Sequence, residues 1–254
     1  MKVINDLLGF NLKIIQDTDY FNFSLDSVLL YNFLKLKKNM NIIDLCSGNC
    51  PIPLMISNKV NKKIYAVELQ KEIYNLGIES IEINNLKEKI ELINMDAKEI
   101  TKVFETDTFD LITCNPPYFK MNKTSKVNNN KVKTLARHEI TISIDDIMKI
   151  AKKLLKNNGS IVMVHRTERL SDIILSMKNN NISPKRIQFI YPKEESESNI
   201  VLIEGTKNGN NSLKVMKSIV VHDNNGEYKQ EIKRLFKGEQ LWVKKAMMGN
   251  QHYI

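Results

Sequence analysis

The sequence predicts an α/β fold: a mostly parallel sheet with helices on both faces and antiparallel strands closing its C-terminal edge. Two observations predict it. Short apolar runs alternate with amphipathic stretches at the spacing of strand–helix–strand units. Towards the C-terminus that alternation stops, and three strand-like runs follow with little helical pattern between them.

Each element follows from its residues. Leu25–Leu34 places apolar residues at helical spacing. Asn41–Leu45 is a short apolar run, the first strand of the series. Ser47-Gly48-Asn49 is a turn, and a helix follows over 51–58. Lys63–Glu68 is the second strand. Residues 70–84 set Ile73, Leu76, Gly77 and Ile81 on one helical face. Ile90–Asn94 and Phe109–Cys114 are the third and fourth strands. Residues 144–156 read as a helix stopped by Asn157-Asn158-Gly159. Ser160–His165 is the fifth strand, with a helix to about 179 after it. Arg186–Tyr191, Asn199–Glu204 and Leu213–Val221 are the three edge runs, and Tyr228–Phe236 is a last helix.

The chain has 254 residues, 42% hydrophobic and 26% charged, which suits one large folded unit and excludes global disorder. No run approaches the ~20 apolar residues of a membrane helix. Met1-Lys2-Val3-Ile4-Asn5-Asp6 meets acid at once and has no small-residue cleavage site, so no signal peptide and a cytoplasmic protein are expected. Cys46, Cys50 and Cys114 are too few for a disulfide scaffold. Cys46 and Cys50 have the spacing of half a zinc site, but no second Cys/His pair completes it, and His138, His165, His222 and His252 are scattered; no metal is expected. Lys+Arg 38 against Asp+Glu 29 gives +9, which suits a polyanionic partner, nucleic acid first. A Lys/Asn/Ile-rich composition produces the same balance on any protein, so the location of the charge has to decide.

In an open parallel sheet, ligands bind at the carboxyl ends of the strands. There the sequence places Asp44 and the turn Cys46-Ser47-Gly48-Asn49, then Glu68, then Asp96, then Asn115-Pro116-Pro117-Tyr118. A small-residue turn lets the backbone approach a ligand. An acid ending the second strand can accept two hydrogen bonds from a ribose diol, and Asp96 could accept from an adenine amine. Together these acids favour a cationic ligand. The two prolines of the tetrapeptide fix the backbone and remove two donors, so a bound group faces carbonyls and the Asn side chain, acceptors suited to an amine. Tyr118 offers a flat face for a base.

These residues resemble the class I S-adenosylmethionine-dependent methyltransferases with an NPPY motif. Among them the chain is most similar to bacterial tRNA (adenine-N6) methyltransferases that modify adenine 37 of valine tRNA. Phe21–Leu30, Asp44–Asn49 and Ala136-Arg137-His138-Glu139 carry that finer likeness, over about residues 1–205. NPPY alone is shared with glutamine and guanine N-methyltransferases. The resemblance implies a Rossmann-like domain with a seven-stranded sheet over 41–254, and an N-terminal helical segment, 1–40, packing over the cofactor site. It implies S-adenosylmethionine as cofactor, with Asp44 and Gly48 along its methionine part, Glu68 on the ribose and Asp96 on the adenine. Phe23, Ser24 and Asp26 would close over it, and Cys46, Leu69, Ala97 and Asn115 complete the set. Cys50 stands where many such enzymes have another glycine, and its side chain is expected to narrow the pocket.

The implied chemistry is direct methyl transfer to an adenine amine. Asn115 and the Pro116 carbonyl would accept the amine hydrogens, Pro117 would fix the turn, and Tyr118 would stack the extruded base. Residues 119–137 carry Lys120, Lys123, Lys126, Lys131, Lys133 and Arg137 with no acid among them. They are expected, with His138, to grip RNA beside the target base. Lys233, Arg234 and Lys237 near the C-terminus extend that surface or simply solvate a helix. The expected partner is tRNA, with no membrane and no obligate protein partner. The rivals are a guanine N2 of ribosomal RNA, a release-factor glutamine, or a non-catalytic RNA-binding protein on this scaffold.

Overall fold

In the computed structural model, which describes residues 1–7, 9–18, 24–117, 142–239 and 241, the alternation becomes one open twisted sheet. Its elements are β3 (Ile42–Leu45), α2 (Pro51–Ile56), β4 (Ile64–Glu68), α3 (Lys71–Ile83), β5 (Ile90–Asn94), β6 (Phe109–Cys114), α4 (Ile144–Leu154), β7 (Leu155–Arg166), α5 (Leu170–Asn179), β8 (Ile182–Tyr191) and β9 (Ile200–Lys207). Ahead of them come β1 (Lys2–Leu7), β2 (Leu12–Asp17) and α1 (Leu25–Phe33); after them come β10 (Lys214–Val215), β11 (Ile219–Val220) and α6 (Gln230–Phe236). The strand order is β10-β8-β9-β7-β6-β3-β4-β5, with β11 also pairing β8. Seven long strands thus form the expected sheet, and two short ones extend its edge.

Of the three C-terminal runs expected to be antiparallel, only β9 runs against its neighbours, β7 and β8. The short strands β10 and β11 lie parallel to β8. The connections explain this. The helix α5 carries the chain from β7 across to β8, and such a crossover leaves both strands pointing the same way. The loop from β8 to β9 has no helix, so the chain simply turns back.

Successive residues of a strand face opposite sides of the sheet. Ile42 and Leu111 therefore join one core with α1, α2 and the N-terminal strands. Ile43 and Ile112 join a second core with α4 and α5. This is why β3 and β6 read as unbroken apolar runs. Helix α4 starts on a capping box: Asp146 N donates to Ser143 Oγ at 3.0 Å, and Ser143 N donates to Asp146 Oδ2 at 3.1 Å. We expect Ser143→Ala to lower stability by about 1 kcal/mol without changing cleft geometry, read from urea melts at constant slope. The helix ends at Leu154, before the Asn-Asn-Gly stop, because Leu155 already pairs with Phe109 and the Lys156 ammonium reaches Asp110 at 2.8 Å.

The expectation of a helical segment over 1–40 holds only for α1. Residues Lys2–Asp17 are an antiparallel hairpin, turned at Gly9 with φ +84° and Asn11 with φ 55°. A Cβ on Gly9 would lie 1.9 Å from the Lys237 carbonyl carbon, so only glycine lets the turn dock there. The hairpin is held by α3: Ile15 N donates to Ser80 Oγ at 2.9 Å, and Lys13 N to Asn84 Oδ1 at 2.9 Å. Helix α1 is held by buried Arg186, which pairs with Glu204, stacks 4.2 Å from the Phe33 ring centroid and donates to the Phe33 carbonyl at 2.9 Å.

Candidate active site

Strands β3, β4, β5 and β6 end on the same edge. After β3 the chain adds β4 and β5 on one side and β6 and β7 on the other, so β3 and β6 border the switch point where open sheets bind ligands. A cleft of about 810 Å³ lies there, within the range of small-molecule sites.

The loop after β3 is shaped by three residues in left-handed backbone: Cys46 (φ 57°), Gly48 (φ 57°) and Cys50 (φ 70°). Its amides bind inwards. Ser47 N donates to the Val67 carbonyl at 2.8 Å, and Gly48 N to Glu68 Oε2 at 2.9 Å. A Cβ on Gly48 would meet no atom within 4 Å, so the backbone there is bare towards the cleft. Pro51 opens α2, where its missing N–H costs nothing. Cys50 does not narrow the cleft as expected. Its buried thiol turns under the loop, 3.8 Å from Ser47 Oγ and towards Gly77 of α3, and it is absent from the lining.

Asp44 is 2% exposed. Its Oδ1 accepts from Thr113 Oγ1 at 2.5 Å and its Oδ2 from Ser47 Oγ at 2.7 Å. Burial pushes its carboxyl up to about 7, against the pull of those two hydroxyls and with a smaller push from Glu68. Glu68 is also held up by burial, although the Gln70 and Gly48 amides oppose the shift. Its Oε1 accepts from Gln70 N at 2.8 Å. The Gln70, Gly48 and Leu69 amides thus all bear on this carboxylate, whose two oxygens still have acceptor capacity for a ligand. Asp96 caps the short 3-10 helix Ala97–Lys102 through Lys98 N at 2.9 Å. Leu69, Ile73, Met95 and Ala97 supply apolar wall beside it. Asn115 points its amide nitrogen at Ser27 Oγ, 3.4 Å away on α1.

The cleft brings together Ser24, Asp26, Asp44, Cys46, Gly48, Glu68, Leu69, Asp96, Ala97, Asn115, Pro116 and Pro117. Phe23, Tyr118, Lys120, Lys123, Lys126, Lys131, Lys133, Arg137 and His138 lie outside the described residues. Lys233 and Arg234 are on α6, ion-paired with Glu227 at 3.6 Å and Glu239 at 3.0 Å, and Lys237 follows that helix. Among the described residues no group of three His, Cys, Asp or Glu side chains gathers to hold a metal.

Sequence reasoning missed the residues that hold Asp44, namely Ser47 and Thr113. Thr113 left a signal, a polar residue inside the apolar run Leu111–Cys114. It also missed Ser27 as the partner of Asn115, and the far wall of Arg166, Glu168, Glu197, Ser198 and Asn199.

Comparison with known proteins agrees with this geometry. A predicted O-methyltransferase from Agrobacterium tumefaciens superposes with a TM-score of 0.66 at 16% identity, over 84% of this chain and 96% of that one. P. horikoshii TYW2 in complex with MeSAdo gives 0.57 at 14%, over 82% and 72%. A tRNA1(Val) (adenine(37)-N6)-methyltransferase of Shewanella sediminis is 26% identical over 162 residues, 63% of this chain and 65% of that protein. The match therefore spans just under two thirds of that relative's length. The relative of the same name from Haemophilus influenzae is 29% identical over 202 residues, 73% and 85% of the two chains. Residues 22–183, which include Asp44, Glu68, Asp96 and Asn115, match the family described as the methyltransferase small domain; with the sheet order and the switch-point cleft in agreement, this chain belongs to that family.

Proposed function

We propose that the protein transfers a methyl group from S-adenosylmethionine to the N6 amine of an adenine in tRNA, position 37 of the anticodon loop of valine tRNA being the acceptor. The observation that carries this reading is the convergence of Asp44, Glu68, Asp96 and Asn115-Pro116-Pro117 on one cleft. The names of the relatives support the choice of acceptor.

The donor set fits the cofactor. Asp44 and Glu68 are buried carboxylates whose charge is disfavoured until a cation or hydroxyl donors arrive, and the bare backbone at Gly48 leaves room for a ligand chain. Asp44 would face the cationic methionine end, Glu68 would accept from the ribose diol, and Asp96 with Leu69 and Ala97 would hold the base. Bound S-adenosylmethionine would supply a methyl group activated by its sulfonium.

The chain's own residues do the rest. An adenine amine is a poor nucleophile because its lone pair is delocalised into the ring. The Asn115 side-chain oxygen and the Pro116 carbonyl accept its hydrogens and favour a localised lone pair. Ser27 orients the Asn115 amide from the α1 side, and neither proline can offer a competing N–H. The nitrogen becomes acidic once it is alkylated, so its proton can leave to water or to those acceptors without a strong base. We assign the nine residues outside the described segments the roles given above, Phe23 as cofactor cover, Tyr118 as stacking face and the basic stretch as RNA grip, and residues 1–40 the closing of the cofactor site. Lys233, Arg234 and Lys237 are secondary contacts. No described helix is long and apolar enough to cross a membrane, and we place the reaction in the cytoplasm, where its tRNA is.

The test is methylation of undermodified total tRNA with labelled S-adenosylmethionine, followed by digestion and identification of the nucleoside. N6-methyladenosine is expected. Label in ribosomal RNA or protein, and none in tRNA, would refute the acceptor.

A further inference from the structure

Beyond Asn115 the cleft continues along a wall with no role so far. Arg166 and Glu168 stand at the carboxyl end of β7, and Glu197, Ser198 and Asn199 just before β9. Asp44, Glu68 and Asp96 are all on the β3-β4-β5 side of the sheet, and Asn115 at the end of β6 stands on the divide. A ligand held by those three carboxylates has its reacting end at Asn115. The other half of the cleft is then left for the methyl acceptor.

That half is built rather than loose. Thr167 N donates to the Asn199 carbonyl at 3.2 Å, and the Thr167 and Ser198 hydroxyls lie 2.9 Å apart. Ser198 Oγ also reaches the Ile190 carbonyl at 3.0 Å. Arg166 N donates to Nδ1 of His165 at 2.8 Å, and that buried ring is kept neutral, its pKa pushed down to about 4 by burial and by Arg169. The Arg166 backbone is fixed while its side chain is exposed on the cleft.

The chemistry of the wall is specific. Among the described residues two cations line the cleft, Lys98 and Arg166. Lys98 sits at the opposite end and pairs with Asp96 at 3.3 Å. A guanidinium presents a planar fork of donors that matches a phosphate. Glu168 and Glu197 repel a phosphate but accept from hydroxyls, so among the described residues of this wall Arg166 is the cation that can receive the anion. One guanidinium flanked by carboxylates, a hydroxyl and an amide is complementary to a ribonucleotide, with its phosphate at the first and its sugar hydroxyls at the others.

We infer that this wall is the subsite for the ribose-phosphate of the extruded acceptor nucleotide, and that Arg166 binds its phosphate. The inference rests on the RNA reading above.

Arg166→Ala and Arg166→Lys test it, with tRNA methylation kinetics, tRNA binding at several salt concentrations, and cofactor affinity by calorimetry. Arg166→Ala should raise KM for tRNA by on the order of tenfold and reduce the slope of log affinity against log salt by about one. Arg166→Lys should keep that slope and recover part of the affinity, and neither variant should change S-adenosylmethionine affinity. Wild-type methylation of tRNA with an unchanged KM and salt slope in Arg166→Ala would overturn this subsite alone. Loss of cofactor binding in Arg166→Ala would overturn it too, by assigning the wall to the cofactor or the fold. A wild type that binds S-adenosylmethionine but methylates no tRNA would overturn the proposed function, and this subsite with it.

Discussion

Asn115→Ala should lower the rate of tRNA methylation by on the order of 10²–10³-fold, the scale set by removing one preorganised polar group from a reacting centre. The interaction lost grows as charge develops on the adenine nitrogen, so kcat and kcat/KM should fall together. Cofactor affinity should change far less, because the carboxylates at 44, 68 and 96 remain. Single-turnover rates with saturating tRNA, beside calorimetric cofactor binding, separate the two effects. An alanine variant that methylates at the wild-type rate would remove Asn115 from the mechanism. Loss of cofactor binding equal to the loss of rate would make it a binding residue only. Ser27→Ala should show a weaker version of the same pattern, since Ser27 acts on the reaction only by orienting the Asn115 amide from 3.4 Å away.

The second large effect is the pH dependence of the ligand-free protein. The Asp44 carboxyl titrates at about 7 when folded and near 3.8 otherwise. Between those values the folded state holds a proton that the unfolded chain has released. Stability from this group therefore falls as pH rises from about 4 to about 7, by roughly 4 kcal/mol in total, and is level above. Glu68 shifts in the same direction. His165 works oppositely: its folded value of about 4 lies below its ordinary 6.5, so its contribution rises with pH between the two. The wild-type profile mixes these effects, and Asp44→Asn isolates one. The stability of Asp44→Asn minus that of wild type should climb from pH 4 to 7 and then hold constant, measured by denaturant melts. Parallel profiles for the two proteins would show that Asp44 does not carry a displaced proton.

The same group couples to the ligand. A cation beside Asp44 favours the ionised carboxylate, so S-adenosylmethionine affinity should rise as pH rises through about 7, with a proton released on binding below that. In Asp44→Asn the affinity should fall about tenfold to a hundredfold and lose that pH dependence. Calorimetry in two buffers of different ionisation enthalpy reads both.

Most of the sheet was legible along the chain. Strands β3, β4 and β6 begin and end within a residue or two of their apolar runs, because a parallel strand covered on both faces has no exposed side to interrupt the pattern; the edge strand β5 keeps its ends although Glu91 and Asn94 are exposed. Asp44, Glu68, Asp96 and Asn115-Pro116-Pro117 were legible too, because each lies or begins within two residues of a strand's carboxyl end. The hairpin of β1 and β2 was not. Its short strands have meaning only against each other and against Ser80 of α3 and the capping Asn84 just after it, 65 and 71 residues away. Nor was the direction of β8, which depends on the path of α5 across the sheet.

By itself, then, the sequence determined where the chain forms strands and which chemical groups end them, since burial periodicity and backbone chemistry are properties of neighbouring residues. Only the tertiary structure decided what those groups touch. Thr113 bonds Asp44 across 69 residues and Arg186 clamps Phe33 across 153, the Cys50 thiol turns away from the cleft, and Thr167 bonds Asn199 on the far wall. Such contacts are set by packing between elements that no local pattern encodes. The elevated carboxyl of Asp44 and the second wall of the cleft exist only once those elements have closed on one another.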